Sequence, residues 1–347
     1  MYDLSNSIFG DNKNLSFYYN VEHFNIKSFE LDTVTNQADI AKQLKKLQKY
    51  KAIIIAKPTV PFNKIDKYLV DQYIMHGGKV LWLIDGAIAS MDSLQKKNNF
   101  ISVKNDLQID DQLFKYGVRI NADLIEDQRC TEIPIVTGYS GKIPQQNFFK
   151  WPYYPLLFSD NKHPIVKGVE AIKCTFSSSI DTIKNNIKKT ILLTSSNHSR
   201  HRLLPTKIDL NILENKTPVE SYNKQKIPIA VLLEGNFESV FKNRIVPKNK
   251  NVTLKTKSDH TAMIIVSDGD IIRNNYSNNG TVYPLGYDKF IDFTYPGNKT
   301  FLLNAIQFLC DDTDLIQLKT KEVAIRLLDR NKYQNRTYIQ VINTILP

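Results

Sequence analysis

Cysteine is scarce in this sequence: three residues, Cys130, Cys174 and Cys310, an odd number set far apart. That excludes a disulfide framework. Glycine is scarce as well, at 13 residues, and no GxGxxG occurs, so a Gly-rich phosphate loop is not expected. No apolar run approaches the roughly 18 residues of a membrane helix; the longest are "AIIIA" and "VLWLI". The first residues carry no charged-then-apolar leader.

What remains is ordinary globular material. The chain has 347 residues, 42% hydrophobic and 23% charged, enough for a sizeable core. Lys and Arg exceed Asp and Glu by 46 to 35, a net charge of +11. A basic protein can meet nucleic acid or an anionic membrane surface. The excess thickens at residues 42–51 ("KQLKKLQKYK") and 242–257 ("KNRIVPKNKNVTLKTK"). Neither stretch interleaves the exposed aromatics that stack on bases. They read as a solvated helix face and a solvated loop, and no nucleic-acid partner is expected.

The clearest pattern spans residues 38–85. Ile40, Ala41, Leu44 and Leu47 recur at helical spacing, with lysines on the other face. "AIIIA" (52–56) is a short β-branched run, the mark of a strand buried on both faces. Pro58 and Pro61 stop it. Asn63 can cap a new helix, with Asp66 favourable in its first turn. Gly77 and Gly78 end that helix, and "KVLWLID" (79–85) is the next strand. Strand, helix, strand reads as a βαβ unit. "TILLTSS" (190–196), "IAVLLEG" (229–235) and "AMIIVSDGD" (262–270) repeat the strand type, and "KTFLLNAIQFLCD" (299–311) is helical. The expectation is an α/β fold: one open, mostly parallel sheet with helices on both faces, the five apolar runs being neighbouring parallel strands.

Residues 92–181 fit that sheet poorly. They hold one short helix, 110–116, then "IPIVTG" and the Pro-rich "WPYYPLLF". They read as an inserted lobe within an α/β domain of residues 1–311, followed by a C-terminal segment, 312–347. Trp151, Tyr153 and Tyr154 are too apolar to float free, while Pro152 and Pro155 argue against a central strand. They are expected to pack the lobe onto the sheet or to form a partner-binding face.

Three short motifs carry little. "GYSGK" (138–142) imitates a P-loop, but has two residues before its GK instead of four, and Ile143 after it. "HSRH" (198–201) pairs two histidines without a third ligand nearby. "SDGD" (267–270) could hold a hard cation or simply form a tight turn. No metal or cofactor is expected. One constellation says more. In open α/β sheets ligands sit outside the carboxyl ends of strands. Those ends carry Asp85, Ser195, Ser196, Glu234, Ser267, Asp268 and Asp270. The set suits a small polar ligand with hydroxyl or amine groups, not a phosphate. The plainer alternative is that strand ends are polar in any case.

Several blocks together resemble a known family. "DQYIMHGGKVLWLIDG" (71–86), "DDQLFKYGVRIN" (110–121), "WPYYPL" (151–156), "HPIVKGV" (163–169), "AVLLEGNFESVFKNR" (230–244), "SDGDIIRN" (267–274) and "LLNAIQFLCDD" (302–312) are similar, in this order, to the GldG family of gliding-motility-associated ABC transporter components. The resemblance implies a domain like the class I glutamine amidotransferases, shared with intraflagellar transport proteins. It implies a parent anchored in the cytoplasmic membrane, with this region on the periplasmic side. The implied partners are the permease and ATPase subunits of an ABC transporter in gliding motility or secretion. Against the full-length pattern, an N-terminal membrane helix is missing, and Pro347 falls about where a second is expected. That implies an excised fragment, with residues 312–347 leading to a membrane helix in the parent.

Two functions stay open: a non-enzymatic accessory domain that binds a ligand or partner, and a hydrolase or amidotransferase-like enzyme using the strand-end residues. The first is favoured. An amidotransferase cysteine sits on a Gly-flanked strand-to-helix turn, with a His in reach to make the thiolate. "RCTE", "KCTF" and "LCDD" place no Gly beside Cys130, Cys174 or Cys310. All three are expected to be buried or inert, and His163 structural.

Overall fold

The computed structural model describes residues 19–27, 39–210, 217–247, 253–277 and 279–311. The C-terminal segment 312–347 lies outside the described residues, as does part of the second basic stretch. Five helices occur among the described residues: α1 (Ile40–Leu47), α2 (Lys64–Met75), α3 (Met91–Lys97), α4 (Asp110–Tyr116) and α5 (Pro296–Cys310). The central sheet contains β1 (Ala52–Ala56), β2 (Lys79–Leu83), β3 (Lys188–Thr194), β4 (Pro228–Glu238) and β5 (Lys257–Val266), in the order β1-β2-β5-β4-β3.

Local chemistry sets the first βαβ unit. Asp39 caps α1 by accepting the Lys42 N–H, while Lys45 and Lys46 face the negative end of the helix dipole. Asn63 and Asp66 form a reciprocal capping box at the start of α2. Gly77, at φ +88°, releases the chain from α2 into β2.

All five apolar runs lie in one sheet, but the expectation of five parallel neighbours is corrected. β1 and β2 are parallel, as are β2 and β5, while β4 runs antiparallel to both β5 and β3. The connection decides this. A parallel pair needs a crossover, which α2 supplies between β1 and β2. No helix stands between β4 and β5 among the described residues.

The runs lack alternation because both faces are covered. Val80 and Trp82 of β2, Val231 and Leu233 of β4, and Met263 and Ile265 of β5 enter the core that α1 and α2 close. Leu81 and Leu83, Ala230 and Leu232, and Ile264 and Val266 enter the opposite core, with Phe301, Leu302 and Ala305 of α5. Each large side chain so buried contributes about 1.5–3 kcal/mol.

Residues 92–181 are knitted into this body. Leu113, Tyr116, Val118, Ile120 and Ile180 share the core of α2. The stretch also holds a second helix, α3, and strand pieces in smaller sheets, such as Asp123–Asp127 against Ser199–Leu203. The chain is therefore a mixed α/β structure with several small sheets around the central one. The aromatic segment is the end of a strand, Ile143–Leu157, which pairs with Cys130–Ser140. The register jumps from Glu132 opposite Lys150 to Cys130 opposite Pro155, so residues 151–154 face Thr131 alone. Pro152 thus sits where the ladder is already broken, which is how a strand tolerates it. Trp151, Tyr153 and Tyr154 are buried in a third core with Leu124, Phe176 and Ile208.

Candidate functional site

The carboxyl ends of β1, β2 and β5 lie side by side. Each delivers charge just beyond its last residues: Lys57 after β1, Asp85 after β2, Asp268 and Asp270 after β5. Lys57 Nζ stands 3.1 Å from Asp85 Oδ2 and 2.5 Å from Asp270 Oδ2. The Lys57 backbone is left-handed, at φ +43°, an uncommon state for a residue with a Cβ. Its N–H still reaches the Leu83 carbonyl at 2.8 Å.

The "SDGD" turn closes over this lysine. Asp270 N–H donates to Asp268 Oδ1 at 2.8 Å, and Gly269 N–H donates to Asp85 Oδ1 at 2.5 Å. Gly269 has an ordinary helical φ of −78°. It is glycine for space: a Cβ there would stand 2.8 Å from Lys57 Cβ and 3.0 Å from Asp85 Oδ1. Asp268 Oδ2 accepts the Thr175 N–H at 2.6 Å, and Arg273 lies 3.7 Å from Asp270 Oδ1.

Carboxylates outnumber cations in this cluster, and the electrostatics follow. Burial, then the charges of Asp85 and Asp270, push the Asp268 carboxyl up to about 8. Burial also raises Asp85, against the pull of Lys57. Burial pulls the Lys57 ammonium down, but Asp85 and Asp270 outweigh it and hold it above its ordinary value. Near neutral pH the cluster therefore keeps its lysine charged, and Asp268, raised to about 8, is the carboxyl that most readily takes up a proton.

A cavity of about 130 Å³ opens beside it, lined by Lys57, Tyr154, Lys173, Thr175, Asp270 and Arg273 among others. A water occupies roughly 30 Å³ in the liquid, so the space suits a few waters or a small polar group. Lys173 is held by Asp288 at 2.7 Å, and burial lowers its pKa although Asp288 opposes the shift. The cavity thus offers donors and acceptors whose charges largely cancel.

Of the strand-end residues expected from sequence, Asp85, Asp268 and Asp270 converge here. Ser267 is adjacent but buried, its Oγ 2.5 Å from the Ser178 carbonyl and 3.1 Å from that of Ile229. Ser195 and Ser196 lie on the same edge, across the start of β4. Ser195 Oγ accepts the Ile227 N–H at 2.9 Å, and both Ser196 N–H and Oγ donate to Asp127 at 2.6 Å. Glu234 is a correction. Because β4 runs antiparallel, its carboxyl end lies at the opposite edge, where Glu234 pairs with Lys188 at 2.8 Å. Sequence reasoning missed Lys57, Lys173, Thr175 and Arg273. The signal for Lys57 is its place directly after "AIIIA", at the carboxyl end of a buried strand.

A wider groove of about 1210 Å³ runs past Phe114, Arg119, Asp123, His201 and Arg244. His201 Nδ1 lies 2.7 Å from Asp123 Oδ2, which also accepts Ser179 Oγ at 2.7 Å. The second histidine of "HSRH" is thus a carboxylate partner. No three or more His, Cys, Asp or Glu side chains are placed to hold a metal ion among the described residues. The groove's charges pair off as Lys104–Asp110, Arg119–Asp181 and Arg244–Asp111.

None of the three thiols lines either concavity, although Cys174, between Lys173 and Thr175 of the cavity wall, lies against Asp268. Burial raises Cys130 to about 12 in spite of Lys150, and burial with Asp268 raises Cys174 well above its ordinary value. His163 packs edge-on against Phe308 at 5.2 Å, and burial lowers its pKa.

Fold and site together define a mixed α/β domain with a charged strand-end cluster. The chain belongs to the family described as "ABC-type uncharacterized transport system", whose model matches residues 13–305. It is an auxiliary component of an ABC-type transport system. No curated protein matches it. The solved structure titled "mmIFT52 N-terminal domain" is similar over 77% of this chain and 79% of that one, at 14% identity and a TM-score of 0.39. That likeness is too distant to bear on fold or function.

Proposed function

We propose that this chain is the non-enzymatic part of a GldG-type accessory protein, anchored on the periplasmic side of the cytoplasmic membrane. It works there with permease and ATPase subunits in gliding motility or secretion. Membership of the transport family supports the accessory role, and the sequence blocks quoted above support the finer assignment. We read the domain as a relative of the class I glutamine amidotransferases that has given up their chemistry. The observation that carries this is the state of two of the three thiols, Cys310 being half-buried. The thiolate is the nucleophile, and Cys130 and Cys174 are buried with raised pKa values. The strand-end cavity is then a binding site for a small polar ligand, or for a polar group of a partner subunit.

The test is to purify the membrane-anchored parent through an affinity tag and identify what comes with it, alongside a glutaminase assay. Permease and ATPase subunits should copurify, and glutamine should release no ammonia. Ammonia release that disappears on replacing one cysteine would overturn the reading in favour of an enzyme. Failure to recover any transporter subunit would remove the accessory role.

A further inference from the structure

The paired strands Cys130–Ser140 and Ile143–Leu157 form a ribbon whose distal half leaves the body of the protein. Cross-strand partners share a face, so the register sorts its side chains. Pro134 faces Phe148, Val136 faces Gln146, and Tyr139 faces Pro144. A register shift between Val136 and Gly138 brings Tyr139 onto the face of Val136, where strict alternation would have turned it away. One face therefore presents Phe148, Val136 and Tyr139, which are 52%, 44% and 71% exposed. The other carries Asn147, Gln145 and Ser140, ending in Ile143 at 72% exposure. Between residues 133 and 149 there is no carboxylate, and the one charged residue is Lys142, beside Gly141 (φ +63°) in the turn.

We propose that this ribbon is a membrane-contact arm that lays its apolar face and tip into the interfacial layer of an anionic lipid surface. An amphipathic element with apolar and aromatic side chains on one face and a cation beside them is what that layer receives. Unpaired backbone on both ribbon edges forbids deeper entry, because hydrocarbon cannot hydrogen-bond it. The headgroup region can. A lipid surface fits better than a protein groove for two reasons. At the tip the apolar character wraps onto both faces, through Tyr139 and Ile143. And the arm has no carboxylate to be repelled by anionic lipid, in a chain of net charge +11. The assignment is independent of the strand-end cavity and shares with the proposed function only the nearness of a membrane.

The experiment is flotation of the whole chain with phosphatidylcholine vesicles and with mixed phosphatidylcholine–phosphatidylglycerol vesicles. Wild type should float with the mixed vesicles, and less with the neutral ones. Tyr139→Asp combined with Ile143→Asp should lower that partition by about tenfold or more. Both positions are solvent-exposed, and an unchanged circular dichroism spectrum verifies the fold. Lys142→Glu should weaken binding to the anionic vesicles selectively. Absence of wild-type binding to mixed vesicles, or equal binding by the double variant, overturns the proposal. So does a double variant that floats normally yet no longer copurifies with the permease, which would make the ribbon a protein-docking arm.

Discussion

Replacing Lys57 by Met keeps the length of the side chain and removes the cation from between Asp85 and Asp270. The three side chains are 18%, 13% and 16% exposed, so water compensates poorly. Removing one partner from a buried ion pair costs about 3–5 kcal/mol, because the charges left behind stay desolvated. Against a typical stability of about 5–15 kcal/mol that is a large loss. Its pH dependence distinguishes electrostatics from lost packing. Asp85 and Asp268 already sit above their ordinary values, Asp268 at about 8, and without the Lys57 charge Asp85 is raised further. The folded state then binds more protons than the unfolded, so stability falls as pH rises. The contribution is fully present below the unfolded value of about 4 and lost on passing through the folded values. The penalty should therefore be small near pH 5 and reach its plateau above pH 8. Urea unfolding followed by fluorescence at several pH values measures it, with the slope against denaturant unchanged. Adding Asp85→Asn to Lys57→Met should restore about 1–2 kcal/mol at pH 8. A penalty that is constant across the range, or one near zero at pH 8, refutes the reasoning.

Other outcomes follow from packing and burial. Trp151→Ala should cost about 3–5 kcal/mol by thermal or chemical unfolding. Trp151→Phe should cost clearly less than Trp151→Ala, because most of the ring volume is kept and the buried Nε1, which has no acceptor among the described residues, loses no hydrogen bond. Asp71→Ala should cost about 3 kcal/mol or more, since it orphans the Tyr116 and Ser239 hydroxyls, the Val240 N–H and one Gln72 amide proton. Gly269→Ala should cost about 1–3 kcal/mol, as its Cβ would overlap Lys57 Cβ, which cannot swing aside. Cys130 and Cys174 should resist a mild alkylating reagent near neutral pH until the protein is unfolded, as mass spectrometry of the labelled peptides will tell.

Much of the fold was legible locally. "AIIIA" and "KVLWLID" read as buried strands because β-branched and apolar residues fill every position. Asn63 read as a cap and is one, with the reciprocal bond from Asp66. The helix expected over 110–116 is α4. Trp151 and its neighbours were legible as apolar, but their place in a broken ladder was not, because that depends on how Thr131 and Cys130 meet them across the ribbon.

The site was legible in part. Composition and periodicity by themselves determined which residues prefer strand or helix, which segments are buried on both faces, and that Asp85, Asp268 and Asp270 end strands. Strand direction lay beyond them, since an antiparallel β4 and a parallel one have the same local composition. That one fact moved Glu234 to the far edge of the sheet. Lys173 and Thr175 reach the cluster from residues that carry no motif. Lys57 and Asp270 are 213 positions apart and touch only because β1, β2 and β5 stand side by side. Local sequence sets each residue's preference for water or core and for one backbone state. The path of the chain alone decides which charges face one another, and so the tertiary structure alone set the geometry of the cluster.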